Sequence, residues 1–83
     1  MKVTYDPDVD VLYILLRDAP IEESDEDKPG VILDYDKAGN IVGIEILDAS
    51  KKIENPRAVE YAIEKEKVGP AKRKAGRLTN PSR

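Results

Sequence analysis

Short apolar runs separated by turn residues dominate the first fifty residues of the chain. Residues 2–5 and 11–16 predict a first hairpin, because the DPDVD segment between them has turn chemistry: Pro presets φ, and Asp side chains accept bonds from nearby amides. The run VLYILL at 11–16 is apolar at both parities, which is typical of a strand covered on both faces. Its Val, Tyr and Ile content favours strand over helix.

A second hairpin is predicted for residues 30–50, GVILDYDKAGNIVGIEILDAS. A three-residue loop, 37–39, would pair Asp36 with Asn40 and mix polar and apolar residues on both faces. An even loop, 38–39 or 37–40, instead makes one face wholly apolar, and a one-residue slip flips a whole strand. We therefore favour the even loop, which Gly39 and Asn40 suit because both tolerate left-handed backbone.

The same parity in the first hairpin pairs Asp6 with Val11 and extends the apolar face over four strands. The predicted face consists of Val3, Tyr5, Leu12, Ile14, Leu16, Val31, Leu33, Tyr35, Val42, Ile44 and Ile46.

A helix after Asn55 is the predicted cover for this face. Asn is a good N-cap and Pro56 suits the first helical position. An apolar stripe at helical spacing follows, and it consists of Ala58, Val59, Ala62 and Ile63. Gly69-Pro70 ends the predicted helix. Residues 48–53 predict a short turn of helix leading into it.

Two charged segments complete the chain. Residues 18–30 hold five acids within 22–27 and predict a mobile polar connection, because like charges repel. Residues 1–66 carry seventeen acids and eight basic residues, a net charge of −9, and 67–83 carry six basic residues and no acid. We therefore predict a single domain at 1–66 and a disordered basic tail at 67–83.

The predicted fold is α+β: a four-stranded antiparallel meander of two hairpins with a C-terminal helix packed on one face. At 83 residues the core is small, and the chain has no Cys for disulfides, so oligomerisation is the remaining source of stability. We expect a homodimer through the second sheet face or through sheet edges. Val11, Tyr13 and Leu15 are the predicted interface residues, because they form an apolar patch on that face.

Composition narrows the possible chemistry. The chain lacks both His and Cys, which excludes Ser-His-Asp and Cys-His nucleophile systems and His-ligated transition metals. No catalytic motif is present, so the balance is against an enzyme, and we expect no cofactor. The absence of Gln and the 37% content of charged residues predict a thermophilic source. No signal-like or membrane-spanning apolar run is found, which predicts a soluble cytoplasmic protein.

Carboxylates are the remaining candidates for a site. The DPDVD segment resembles the start of a calcium loop, but Val and Arg stand where an EF-hand needs Gly and Glu. Four other acids fall on or near the second sheet face, where paired carboxylates can hold Mg²⁺ or transfer protons; they are Asp34, Asp36, Glu45 and Asp48. The alternative is an ordinary polar outer face. Glu45 is the most interesting, since it lies mid-strand beside Gly43.

The basic tail is a candidate for nucleic-acid or partner binding by counterion release. Its candidate residues are Lys72, Arg73, Lys74 and Arg77. No aromatic residue interleaves them, so base stacking is unsupported. A solubilising tail is the alternative.

With these residues in place, the chain resembles the domain of unknown function 2283 family, small uncharacterised proteins of bacteria and archaea. The resemblance covers roughly residues 1–53 and rests on Tyr5-Asp6-Pro7, Asp10, Leu12-Tyr13-Ile14, GVILDYD at 30–36, Gly39 and VGIEILDAS at 42–50. It implies no catalytic residues. Occasional gene proximity to small toxin-like proteins suggests an antitoxin-like or partner-binding role.

Three functions are therefore predicted, and they are given in decreasing order of support from the sequence. The first is a non-enzymatic homodimeric interaction module, for which the acidic partner of a basic toxin-like protein is one specific role. The second is a carboxylate-based metal-binding protein or enzyme that uses the second sheet face. The third is nucleic-acid binding through the tail.

Overall fold

The computed structural model describes residues 1–65. Within them the chain forms five strands and one short helix: β1 (Lys2–Asp6), β2 (Val11–Leu15), β3 (Glu23–Lys28), β4 (Val31–Tyr35), β5 (Ile41–Leu47) and α1 (Ala49–Lys52). All pairs of neighbouring strands are antiparallel, and the order across the sheet is β1-β2-β5-β4-β3. The described chain is a single antiparallel sheet layer with one four-residue helix, which is compatible with the predicted α+β class.

The predicted four-stranded meander is wrong in strand number and in order. The chain leaves β2 and crosses to the far edge of the sheet. It returns through β3 and β4, so that β5 pairs with β2. Val42 and Gly43 are accordingly among the most buried residues of the described chain. The order depends on which distant strands pair, and local periodicity carries no information about that choice.

The acidic connection contains the strand that the sequence pattern missed. All six residues of β3 are exposed, so no apolar alternation marks it. Its pairing with β4 uses backbone groups, and the turn is held by the Gly30 amide, which donates to Glu26 Oε2 at 2.8 Å. Charged side chains on such an edge strand also discourage pairing with other sheets.

The predicted register of the first hairpin is confirmed, with Asp6 opposite Val11. It places eight of the predicted core side chains in two rows that cross four strands. One row is Val3–Ile14–Ile44–Leu33, and the other is Tyr5–Leu12–Ile46–Val31. These eight residues are called the apolar face below, and the other side of the sheet is called the opposite face.

The predicted even loop of the second hairpin is wrong, although its consequence for the strands holds. Asp36 pairs with Asn40, because the Asp36 amide donates to the Asn40 carbonyl at 2.9 Å. Inside the loop, the Gly39 amide donates to the Asp36 carbonyl at 3.0 Å. The loop is therefore 37–39, with Gly39 at φ +88°. A β-bulge then shifts the register between Asp34 and Tyr35, and the extra residue, Val42, restores the favoured parity.

The predicted helix after Asn55 is absent from residues 55–65. The Asn55 side chain accepts from the Arg57 amide at 3.1 Å, and its carbonyl accepts from Ala58 N at 3.2 Å, which makes a single turn. Beyond it the backbone is neither helix nor strand up to residue 65. The helical turn predicted for 48–53 is present as α1.

Burial in the described chain is correspondingly shallow. Only Leu12, Val42 and Ala49 are buried apolar residues. Residues 53–59 lie beside Val3, Tyr5 and Leu12 and form with them an open groove of about 400 Å³. The side chains of the apolar face on β4 and β5 stay half-buried. Within residues 1–65, the groove therefore lies at the β1–β2 side of the apolar face, where Val3 at the sheet edge is still 37% exposed.

Candidate functional site

A polar network crosses the opposite face at the centre of the sheet. The Tyr13 hydroxyl donates to Asp34 Oδ2 at 2.9 Å, and the Ser24 hydroxyl donates to Asp34 Oδ1 at 2.6 Å. The Asp34 residue is only 6% exposed. Three strands therefore meet at one carboxylate, β2 through Tyr13, β3 through Ser24 and β4 through Asp34 itself.

Gly43 makes this network possible. Tyr13 lies on β2, and β5 separates it from Asp34. At Gly43 a Cβ would overlap the tyrosine hydroxyl and would lie 2.7 Å from Cζ. Because residue 43 has no side chain, the ring can lie across β5 and reach β4, which is the use expected of a strand glycine where another group approaches closely.

The network is better suited to holding strands together than to acid–base chemistry. Burial, followed by the hydrogen bond to Asp34, raises the pKa of Tyr13 above its usual 10.0. A phenol with a raised pKa stays protonated at neutral pH and acts as a donor. Both carboxylate oxygens of Asp34 are already used by hydroxyl groups.

A second network joins the first turn to α1. Asp10, at φ 59°, accepts at Oδ1 from the Tyr5 hydroxyl (2.7 Å) and the Ser50 amide (2.9 Å), and at Oδ2 from the Ser50 hydroxyl (2.7 Å). The Asp10 carbonyl accepts from Ala49 N at 2.9 Å. The bonds from Ser50, then that from Tyr5, hold the pKa of Asp10 below its usual 3.8. These bonds tie the first turn to α1, so the role of Asp10 is structural.

The four candidate carboxylates are distributed over different environments. Asp34 lies in the network, and Glu45 lies on the same face, paired between Tyr13 and Ile32. Asp36 caps its own loop by accepting from the Ala38 and Asn40 amides. Asp48 is the N-cap of α1 in left-handed conformation, without a side-chain capping bond. Among residues 1–65, no group of three Asp or Glu is placed to hold a metal ion.

The predicted interface residues Val11, Tyr13 and Leu15 lie on the opposite face, and all three are half-buried. The polar network described above uses Tyr13, a role that sequence reasoning missed. A tyrosine and a glycine on neighbouring buried strands were the available signal, but their adjacency depends on the β2–β5 pairing. The tail candidates, Lys72, Arg73, Lys74 and Arg77, lie outside the described residues.

The apolar face is a continuous surface of one chemical kind that crosses four strands. Eight apolar side chains lie in two rows without a charged residue between them. At its β1–β2 side, the Arg57 guanidinium lies 5.9 Å from the centre of the Tyr5 ring, within cation–π range. Exposed apolar patches of this kind are typical of surfaces that bind partners.

Comparison with known proteins identifies the family and little else. The model of the family described as Protein of unknown function (DUF2283) matches residues 2–50. Neither the curated proteins nor the solved structures contain a match. The matched segment contains all five strands and both polar networks. In the described part of the chain, no helix has the length and apolar character needed to cross a membrane.

Proposed function

The chain belongs to this family of unknown function, DUF2283, and we propose that it is a non-enzymatic protein-interaction module that acts as a homodimer through its apolar face. The observation that carries the proposal is the incomplete cover of that face. A sheet that is hydrophobic on one face buries that face against another element. In the described chain, residues from 53–59 line a groove with Val3, Tyr5 and Leu12 at the β1–β2 side, and the face residues of β4 and β5 are half-buried.

The remaining sequence offers little further cover from within the same chain. Residues 66–83 contain only Val68 and Leu78 as large aliphatic side chains, against six Lys and Arg. Two large aliphatic side chains are few beside the eight residues of the apolar face. A second protein surface is the more economical cover.

The charge distribution favours the face over the β3 edge as the dimer contact. β3 carries Glu23, Asp25, Glu26 and Asp27, all exposed, so pairing two β3 edges would bring like charges together. The same acidic edge supports the expectation of a basic partner protein, the role suggested by the occasional gene proximity of family members to small toxin-like proteins.

A carboxylate-based enzyme or metal-binding protein remains the alternative proposal. It gains less support, because Asp34 already has both oxygens occupied and the other three candidates lie in different environments.

The test is the solution mass of two matched variants. Leu33 and Ile32 are adjacent residues of β4, both half-buried, and they lie on the apolar and the opposite face respectively. Wild type should sediment as a dimer at micromolar concentration. Leu33→Asp should shift it to monomer, and Ile32→Asp, the control for folding and for charge, should leave the dimer intact. Circular dichroism checks that both variants keep their strands.

Two outcomes contradict the proposal. A wild type that is monomeric at every concentration refutes the homodimer. Dissociation by Ile32→Asp alone moves the interface to the opposite face, where Val11, Tyr13 and Leu15 were predicted to form it.

A further inference from the structure

Residues 58–65, AVEYAIEK, are the most exposed apolar segment of the described chain and are called the arm. Val59 is 73% exposed, Tyr61 73% and Ile63 83%. Apolar residues thus recur at every second position, and Glu60 and Glu64 lie between or beside them. In an extended conformation Val59, Tyr61 and Ile63 would point to one side. Within residues 1–65, Val59 also lines the groove beside Val3 and Tyr5, whereas Tyr61 and Ile63 are exposed.

We propose that the arm of one copy packs against the half-buried β4–β5 part of the apolar face of a second copy, and that the exchange is reciprocal. This inference rests on the proposed homodimer and names its contact. Each copy then offers one arm and accepts another, which makes a closed two-fold contact without leftover surface. The receiving residues are those of β4 and β5, with Leu33 and Ile44 at the centre.

The dimensions of the arm fit this role. From Val59 to residue 65 an extended chain reaches roughly 20 Å, and four neighbouring strands span about 15 Å. Three large side chains per arm, packed in both directions, bury on the order of 1,000 Å² in total, near the size at which specific interfaces begin. The side chains that would be buried are also the types that dominate binding energy, Tyr above all.

Substitutions in the arm can distinguish this extended contact from a helical arm, which the spacing of its apolar residues predicts. A helical arm would bury the stripe Ala58, Val59, Ala62 and Ile63, whereas a non-helical arm buries Val59, Tyr61 and Ile63. Tyr61 and Ala62 are neighbours that exchange roles between the two arrangements. Both are exposed in the structure, so neither substitution should disturb the fold of the monomer.

The first experiment measures self-association of the full chain by sedimentation. Tyr61→Asp should weaken dimerisation by roughly 30-fold or more, as expected for loss of a buried anchor, and Ala62→Asp should leave the dissociation constant within about threefold of wild type. The opposite order overturns the non-helical arm. A wild-type dimer that neither variant weakens overturns the arm contact while leaving the proposed homodimer in place.

A second experiment asks whether the contact is made between copies. The natural chain contains no Cys, so single cysteines report without background. Tyr61→Cys chains are mixed with Leu33→Cys chains and oxidised gently. A covalent heterodimer is the expected product, and Ala62→Cys replaces Tyr61→Cys as the control that should crosslink weakly. A chain that carries both Tyr61→Cys and Leu33→Cys tests the alternative. If it forms only an intramolecular disulfide and the mixture of single variants forms none, the arm covers its own sheet and the exchange is refuted.

Discussion

The substitution Gly43→Ala tests how the centre of the sheet is built. Its β-carbon would lie 2.7 Å from Tyr13 Cζ and would overlap the hydroxyl. Overpacking of this kind costs about 1–3 kcal/mol. Displacing the ring also breaks its bond to Asp34, and leaving a buried acceptor short of a donor costs about 1–3 kcal/mol more. Replacing a strand glycine by alanine returns only roughly 0.5–1 kcal/mol.

The net loss of unfolding free energy is therefore about 2–4 kcal/mol, a drop in melting temperature of roughly 10–25 °C for a domain of this size. Chemical denaturation at a fixed protein concentration measures it, because association would otherwise shift the midpoint. Tyr13→Ala supplies the control background. There the added methyl group meets no ring, and Gly43→Ala should be close to neutral.

The double-mutant cycle makes the reasoning refutable. A coupling free energy of about 2 kcal/mol or more between the two sites is expected for residues in direct contact. If Gly43→Ala is harmless in the wild type, or if it costs the same when Tyr13 is absent, then the ring does not cross β5 as described.

Three further predictions concern the turns and the networks. The hydrogen bonds that lower the pKa of Asp10 stabilise the fold fully above its usual pKa of 3.8, and this stability is lost as the pH falls through the lower folded value. The drop in unfolding free energy between pH 5 and pH 2 should therefore be smaller in Asp10→Asn than in the wild type. An equal drop in both proteins would contradict a stabilising role of the Asp10 carboxylate. Gly30→Ala and Gly39→Ala each introduce a side chain at positive φ, +79° and +88°. Each should lower the unfolding free energy measured by denaturation by about 1 kcal/mol. At Gly39 no atom lies within 4 Å of the added carbon, so an unchanged stability there would show that the backbone strain is relieved. Ser24→Ala removes one donor from Asp34 and should lower the unfolding free energy by about 1 kcal/mol. Amide hydrogen exchange should then become faster in β3 before it does in β5. An equal increase in both strands would mean that Ser24 does not anchor the edge strand.

Local pattern predicted the strands that carry apolar residues. The two hairpins, the pairing of Asp6 with Val11 and the two-row apolar face follow from alternation and turn chemistry, which act between residues close in sequence. α1 was also predictable from its position after β5. The family match covers the same part of the chain.

Local pattern failed where the deciding contact was distant or absent. β3 carries no apolar alternation, so only its pairing with β4 defines it as a strand. The helix after Asn55 has a good cap and a stripe of small residues, but a short helix is marginal without a packing surface, and residues 55–65 are not helical. The bulge at Val42 was invisible because a three-residue loop plus one extra residue gives the same parity as an even loop.

The candidate site divides in the same way. From the sequence alone, Asp34 and Glu45 are acids on a strand and Tyr13 is an interface residue. The structure assigns Asp34 and Tyr13 to one buried network, because β5 lies between their strands and Gly43 leaves room for the ring.

The sequence by itself therefore determined which residues share a face, because side chains alternate strictly along a strand. Only the tertiary structure decided the strand order and with it the neighbours of that face. Strand order depends on which edges meet after the chain has crossed the sheet, and that free energy is summed over contacts that no local segment contains. The two rows of the apolar face, which cross β1, β2, β5 and β4, follow from that order, and the proposed homodimer uses them.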